Sequence, residues 1–336
     1  MMKFSPSLAE LTAEVDGVLT SWLKRVRGGL TEAPLLVEEI LRCIGAGGKR
    51  LRPAFCYWGY RSGGRAHGPE ILRAASALEL LHTFALVHDD IMDKGHERRG
   101  QPTTYALHGP DAAILVGDLA LVLADEMLLT SGFPNDLLVP ALHAYSRMRR
   151  HVIAGQHLDV AAASSEVITE AEARRIAVLK AGMYTVEEPL IIGAALAGAA
   201  PGVVEGLSAF GRPLGEAFQL RDDLLSSFGE SPELGKPVDS DIRQGKRNVL
   251  FAKTAAALDG GDRDFFLARW GAPQLTGDEV ARLRKLLESS GSKAETEELL
   301  DSLVAQAGGA LRALPVEDDV RAALDDLMHR AVIRDV

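Results

Sequence analysis

The chain has 336 residues, 47% hydrophobic and 25% charged, enough to bury a large core and too apolar for a disordered or low-complexity protein. Its formal net charge of -10 works against nucleic acid and anionic membranes, so an anionic ligand would need local clusters of Lys, Arg or metal. Two cysteines, Cys43 and Cys56, without CxxC spacing, argue against a disulfide framework or zinc site and suit a reducing cytosol.

The N-terminal segment carries no apolar signal core. Apolar residues at three- and four-residue spacing predict helices over 8–26, 35–44, 71–92, 111–129 and 137–160. The same spacing predicts helices over 170–198, 203–228 and 248–258. Pro189 and Pro213 are expected to kink or break two of these runs. Gly- and Pro-rich stretches at 45–48, 61–64, 132–135, 231–232 and 259–262 read as breaks. Thr276 and Glu279 form a capping-box pattern that opens another helix. The most apolar run, 189–204, is shorter than the about 20 residues of a membrane span and reads as buried helix. Strand-like alternation is scarce, and no repeat or long linker interrupts the chain. The expectation is a single all-α domain over 1–336, with its chemistry in 35–250 and further helices over 251–336. It is expected to be cytoplasmic, with no membrane span and no nucleic-acid partner.

Two acidic segments stand out, His88-Asp89-Asp90-Ile91-Met92-Asp93 and Gln219-Leu220-Arg221-Asp222-Asp223. Asp89 and Asp93, four apart, share one helical face. Either segment alone could be a solvated helix end. Two such clusters on apolar helices would be costly to bury unpaired, and hard cations with oxygen ligands, such as Mg²⁺, would remove that cost. Gly47-Gly48-Lys49-Arg50-Leu51-Arg52-Pro53 lacks the P-loop spacing, yet its cations suit a diphosphate or a basic loop in solvent. Arg98 and Arg99 follow the first acidic motif, where plain salt bridges are the other reading. Lys180 lies in an otherwise apolar helix and needs a partner if buried. Lys236 and Lys246 follow the second motif. His82 lies two turns before Asp89, either as a core histidine or as a ligand contact. No nucleophile elbow or dinucleotide fingerprint occurs.

In order along the chain, GGKRLRP, LELLHTFALVHDDIMD, RRGQPT, Gly117-Asp118, GQHLD, LKAGMYT, FQLRDD, LGKPVDSD and GKRN resemble the trans-isoprenyl diphosphate synthase family, and most closely its short-chain geranylgeranyl members. The resemblance implies a helical bundle around a deep central cavity, a homodimer, and the two Asp motifs facing each other at the cavity mouth. It implies Asp89, Asp93 and Asp222 as ligands of Mg²⁺, three ions per site. It assigns Arg98, Lys180, Gln219, Lys236 and Lys246 to the allylic diphosphate, and Lys49, Arg52, His82 and Arg99 to isopentenyl diphosphate. Asp89, Asp93, Arg98, Lys180 and Asp222 would carry the catalysis. Two positions depart from the pattern: Ser226 stands where a third Asp is usual, and Ala181 where Thr often follows the Lys. Ser226 removes an acidic group near the third metal, and Ala181 removes a hydroxyl contact to phosphate.

The implied reaction is Mg²⁺-dependent head-to-tail condensation. Metals and cations would stabilise charge on the departing diphosphate, and an apolar cavity would keep water from the carbocation. Ala85 lies one turn below Asp89 and leaves room, Phe84 beside it narrows the path, and Leu81 lies about one turn below Ala85. An aromatic five before the first Asp, with no insertion in DDxxD, resembles C20 synthases, with a C15 farnesyl product as the runner-up. A class I terpene cyclase would not need the second basic site. A silent partner subunit would have lost motif residues.

Overall fold

The structure is a computed structural model and describes residues 6–229 and 239–332. As expected, it is all-α. The first half holds α1 (Leu8–Gly29), α2 (Pro34–Gly45), α3 (Leu51–Ser62), α4 (Pro69–Met92), α5 (Thr104–Leu129) and α6 (Asn135–Ala163). A short hairpin, β1 (Glu97–Arg98) and β2 (Gln101–Pro102), lies between α4 and α5. Next come α7 (Glu170–Ala177), a π-helical segment Val178–Glu187, α8 (Glu188–Ala197) and α9 (Pro201–Phe228). The chain continues through α10 (Ser240–Gln244), α11 (Val249–Ala257), α12 (Gly260–Arg269), α13 (Gly277–Ser289), α14 (Ser292–Ala313) and α15 (Asp318–Val332).

Local rules account for most boundaries. Ser7 and Glu10 close a capping box on α1, whose Leu11, Val15, Leu19 and Leu23 make a buried stripe at four-residue spacing. Thr169 with Glu172 and Thr276 with Glu279 do the same for α7 and α13. Helix α5 starts earlier than the predicted 111, because a kink at Gly109 (φ 79°, ψ 176°) joins a short helical turn to the main run. The break predicted at 259–262 is the start of α12, and the one at 231–232 lies outside the described residues.

Neither proline breaks its helix. Helix α9 runs through Pro213, held by the buried Phe210, Leu214 and Ala217 on either side of it. At Pro189 the helix changes winding rather than stopping. The Glu188 N–H reaches back five residues to the Met183 carbonyl, and Pro189 falls in the first turn of α8, where a missing N–H is tolerated. Neighbouring backbones press on the π-helical segment. A Cβ on Gly155 of α6 would strike the Lys180 backbone, and one on Gly182 would lie 2.9 Å from the Gly215 carbonyl carbon on α9.

Among the described helices, Pro69–Met92 is long and apolar enough to cross a membrane by length and composition; 67% of its apolar window is buried, which marks it as a core helix.

The chain divides into two compact units. The first takes the described parts of Met1–Tyr145, Pro189–Leu207 and Leu314–Leu327; the second takes those of Ser146–Glu188, Ser208–Ala313 and Met328–Val336. In the first unit α4 is the core element, with Leu78, Leu80 and Leu81 at 1% exposure or less. In the second, Phe251, Phe266 and Trp270 stack together, and the Trp270 indole N–H donates to the Lys246 carbonyl at 3.0 Å. That aromatic cluster anchors the segment that carries Lys246.

Candidate active site

In the first unit the acidic motif closes α4. Asp89 and Asp90 occupy its last turn, and Asp93 is its C-cap, its N–H bonded to the Asp89 carbonyl at 2.8 Å. Pairing Glu97 with Pro102 and Arg98 with Gln101 leaves Arg99-Gly100 as a two-residue turn. Both turn residues have positive φ, 53° and 69°, as a right-twisted hairpin requires. This turn aims two guanidinium groups. Arg98 donates to Asp90 Oδ1 at 2.7 and 3.0 Å and to Asp89 Oδ2 at 3.5 Å, while Arg99 donates to the Gly47 carbonyl of the GGKR loop.

That loop holds an internal pillar. Arg50 sits at φ 48° and is 3% exposed. It donates to Asp16 on α1, Glu79 on α4 and the Ile44 carbonyl, each at 2.7 Å, and to the Gly47 carbonyl at 3.2 Å. Its neighbour Lys49 is exposed, and Arg52 is half-buried. Burial pushes the His82 imidazole well below its ordinary range, and Arg52, Arg99, Arg98 and Arg50 push it the same way, so it is neutral at physiological pH. Burial and the crowding of Arg50, Arg98 and Arg52 also lower Arg99, against the opposing pull of Glu79. Arg50 and Arg98 are offset by Asp16, Glu79, Asp89 and Asp90, so the uncompensated positive charge falls on His82 and Arg99.

The second unit shows the opposite field. Lys180, inside the π-helical segment, bonds Asp159 Oδ2 at 2.6 Å, and Lys246 approaches the same oxygen at 3.5 Å. This supplies the partner that a lysine in an apolar helix requires. Gln219 donates to Asp223 Oδ1 at 2.7 Å. The Asp223 carboxyl is raised well above its usual value, first by burial and then by Asp241, with Asp222 and Asp159 adding to the effect against the Gln219 hydrogen bond. Ser226 is buried, so an Asp there would have been one more buried carboxylate in this field. Lys236 lies outside the described residues.

A hard divalent cation fits this donor set. The crowded groups are all-oxygen carboxylates, and their mutual repulsion is what a cation would relieve. Among the described residues no three or more His, Cys, Asp or Glu converge into a ready cage, so such an ion would share its ligands with water and substrate oxygens.

Each unit thus gathers a proper set of the expected residues: Asp89, Asp93, Arg98, Arg99, Lys49, Arg52 and His82 in the first, Lys180, Lys246, Gln219 and Asp222 in the second. Sequence reasoning gave no role to Asp90, Asp159, Asp223, Asp241 or the Arg50–Glu79 pair. Asp159 and Asp241 lay in plain view in GQHLD and DSD, but nothing in their spacing says that Asp159 pairs with Lys180 and Lys246 or that Asp241 crowds Asp223.

Crowded carboxylates and crowded cations on an all-α scaffold are the chemistry that a protein handling metal-chelated phosphate esters would need. The polyprenyl synthetase family model matches residues 34–287. The farnesyl diphosphate synthase of Mycobacterium tuberculosis is 36% identical over 298 residues, covering 85% of this chain and 80% of its own. The geranylgeranyl diphosphate synthase of Sulfolobus acidocaldarius is 33% identical over 289 residues, covering 83% of each chain. A crystal structure of geranylgeranyl pyrophosphate synthase from Corynebacterium glutamicum, complexed with isoprenyl diphosphate and magnesium, superposes with a TM-score of 0.93 at 30% identity, covering 97% of this chain and 99% of that one. The chain belongs to the polyprenyl synthetase family and is a trans-prenyl diphosphate synthase, a prenyltransferase.

Proposed function

We propose that this enzyme condenses isopentenyl diphosphate head-to-tail with allylic diphosphates, using Mg²⁺, and releases a C20 geranylgeranyl product. The observation that carries the substrate reading is the arginine crowding around His82: a neutral imidazole ringed by Arg52, Arg99, Arg98 and Arg50 suits a diphosphate that brings the missing negative charge. Lys49, Arg52, His82 and Arg99 then hold isopentenyl diphosphate. Arg98, Lys180, Gln219, Lys236 and Lys246 hold the allylic diphosphate. Asp89, Asp93 and Asp222 hold Mg²⁺, three ions by family resemblance. Mg²⁺ supplies charge neutralisation on the departing diphosphate. In the resting protein Arg98 and Lys180 are already held by carboxylates, so each side chain is oriented before substrate arrives.

Product length rests on α4. Ala85, one turn below Asp89, is partly exposed and small; Leu81, about a turn further down, is buried. Phe84 narrows the path beside them. A C15 product is the alternative, favoured by the 36% identity to a farnesyl diphosphate synthase. We place the enzyme in the cytoplasm, as one functional domain and as a homodimer. The dimer is supported by Ile114, Leu115, Val122 and Leu129 of α5, exposed by 43–59% at near-heptad spacing. The test is product analysis with Mg²⁺, isopentenyl diphosphate and separate C5, C10 and C15 primers. A C20 product supports the reading, a stop at C15 makes Phe84 the floor, and product without isopentenyl diphosphate overturns the transferase assignment.

A further inference from the structure

One contact in the first unit links a motif glycine to the residue that narrows the product path. Phe84 and His88 lie one helical turn apart on α4, and their rings meet edge-on, with centroids 4.8 Å apart at 62°. His88 is itself fixed from outside the helix. Its Nε2–H donates to the Ile114 carbonyl of α5 at 3.1 Å, and Asp118 Oδ1 lies 3.7 Å from the same nitrogen. The ring rests in a notch at Gly117: a Cβ there would run into the imidazole carbons and nitrogen. Gly117 is buried in mid-helix, where glycine is otherwise unfavourable, and its backbone does not need positive φ. The steric notch is what accounts for it.

We propose that Gly117 and His88 are positioning residues for product length: Gly117 admits the His88 ring, and His88 holds the Phe84 ring in the rotamer that narrows the path of the growing chain. A helical Phe has two χ1 wells open to it, and the edge-on contact with the fixed imidazole favours the well in which the ring now sits. This rests on Phe84 being the narrowing residue, as proposed above.

The experiment compares products of the full-length enzyme and the variants Phe84→Ala, His88→Ala, Phe84→Ala/His88→Ala and Gly117→Ala, with Mg²⁺, isopentenyl diphosphate and a C10 primer. The readout is the ratio of longer to shorter products, which a mere loss of stability would not move. Phe84→Ala should lengthen the products. His88→Ala should shift the ratio the same way, by about two- to tenfold, the range of one aromatic pair. The double variant should match Phe84→Ala alone, and Gly117→Ala should behave like His88→Ala. If Phe84→Ala lengthens products while His88→Ala leaves the ratio unchanged, or if the two effects multiply in the double variant, the positioning role is wrong and the Phe84 reading stands. If Phe84→Ala changes nothing, the Phe84 reading itself fails, and this inference falls with it. Thermal melts check folding. Should His88→Ala not fold, His88→Gln, which keeps an N–H for Ile114 without the ring, is judged by the same criteria.

Discussion

The two units solve opposite electrostatic problems. Around His82 the first holds guanidinium groups close enough to lower both the imidazole and Arg99. Around Asp223 the second holds carboxylates close enough to raise that carboxyl. Each arrangement carries unrelieved like charge: an anion would answer the first, and a hard cation would answer the second. The chain bears a formal charge of -10, yet the positive field is built locally, by a loop and a two-residue hairpin turn.

The sharpest way to break this comparison is to show that the basic loop of the first unit is uniform. Arg50 and Lys49 are adjacent, but one is buried in ion pairs and the other is exposed. Arg50→Met leaves Glu79 buried without its cation and should destabilise by about 3–5 kcal/mol, whereas Lys49→Met should stay within about 0.5 kcal/mol. Adding Glu79→Leu to Arg50→Met should recover most of the loss. Urea unfolding measures all three. Equal effects from Arg50→Met and Lys49→Met would mean that Arg50 is a ligand arm rather than a pillar.

A second test sets the two acidic clusters against each other. Asp89→Asn and Asp222→Asn should each lower turnover by about 10²–10³-fold, the scale of losing one preorganised electrostatic contact in a transition state. Their effects on metal-free stability should differ in sign. Asp222 adds to the repulsion on Asp223, so its neutralisation should raise the melting temperature. Asp89 accepts a hydrogen bond from Arg98, so its neutralisation should lower it. If both variants melt lower without metal, the second unit is not charge-frustrated in the way described.

Helix identity was legible from the chain, because 3.6-residue periodicity and capping boxes act locally. The stripe of Leu11, Val15, Leu19 and Leu23 and the Thr276–Glu279 box are direct cases. What escaped was anything set by a neighbouring element. Pro189 signals a helix end, yet here it follows a π-helical segment pressed by Gly155 and Gly215 from other helices, and no window of sequence contains both pressures. Arg50 reads as one more phosphate-binding cation in GGKRLRP. Its partners Asp16 and Glu79 are 34 and 29 residues away, so its structural role appears only once α1 and α4 are packed. Gly117 was visible as part of a Gly-Asp pair, but its reason, the ring of His88, belongs to the preceding helix.

The smallest effect is the most direct probe of the positive field. The folded chain keeps His82 neutral below its ordinary pKa of 6.5, while the unfolded chain protonates it there. The unfolded state therefore binds more protons as pH falls below about 6.5, and stability drops by up to about 1.4 kcal/mol per pH unit for this one group. The stabilisation is fully present above that range. His82→Gln removes the titration, so the loss of unfolding free energy between about pH 7 and about pH 5.5 should shrink by about 1 kcal/mol relative to wild type. Saturating inorganic diphosphate with Mg²⁺ should flatten the wild-type slope toward that of the variant, because an anion among Arg52, Arg98 and Arg99 offsets the charges that oppose protonation. A slope that His82→Gln leaves untouched would remove the evidence for that field. A slope that His82→Gln flattens but diphosphate does not would keep the field and place the anion elsewhere, separating the electrostatics of the first unit from the ligand proposed to answer it.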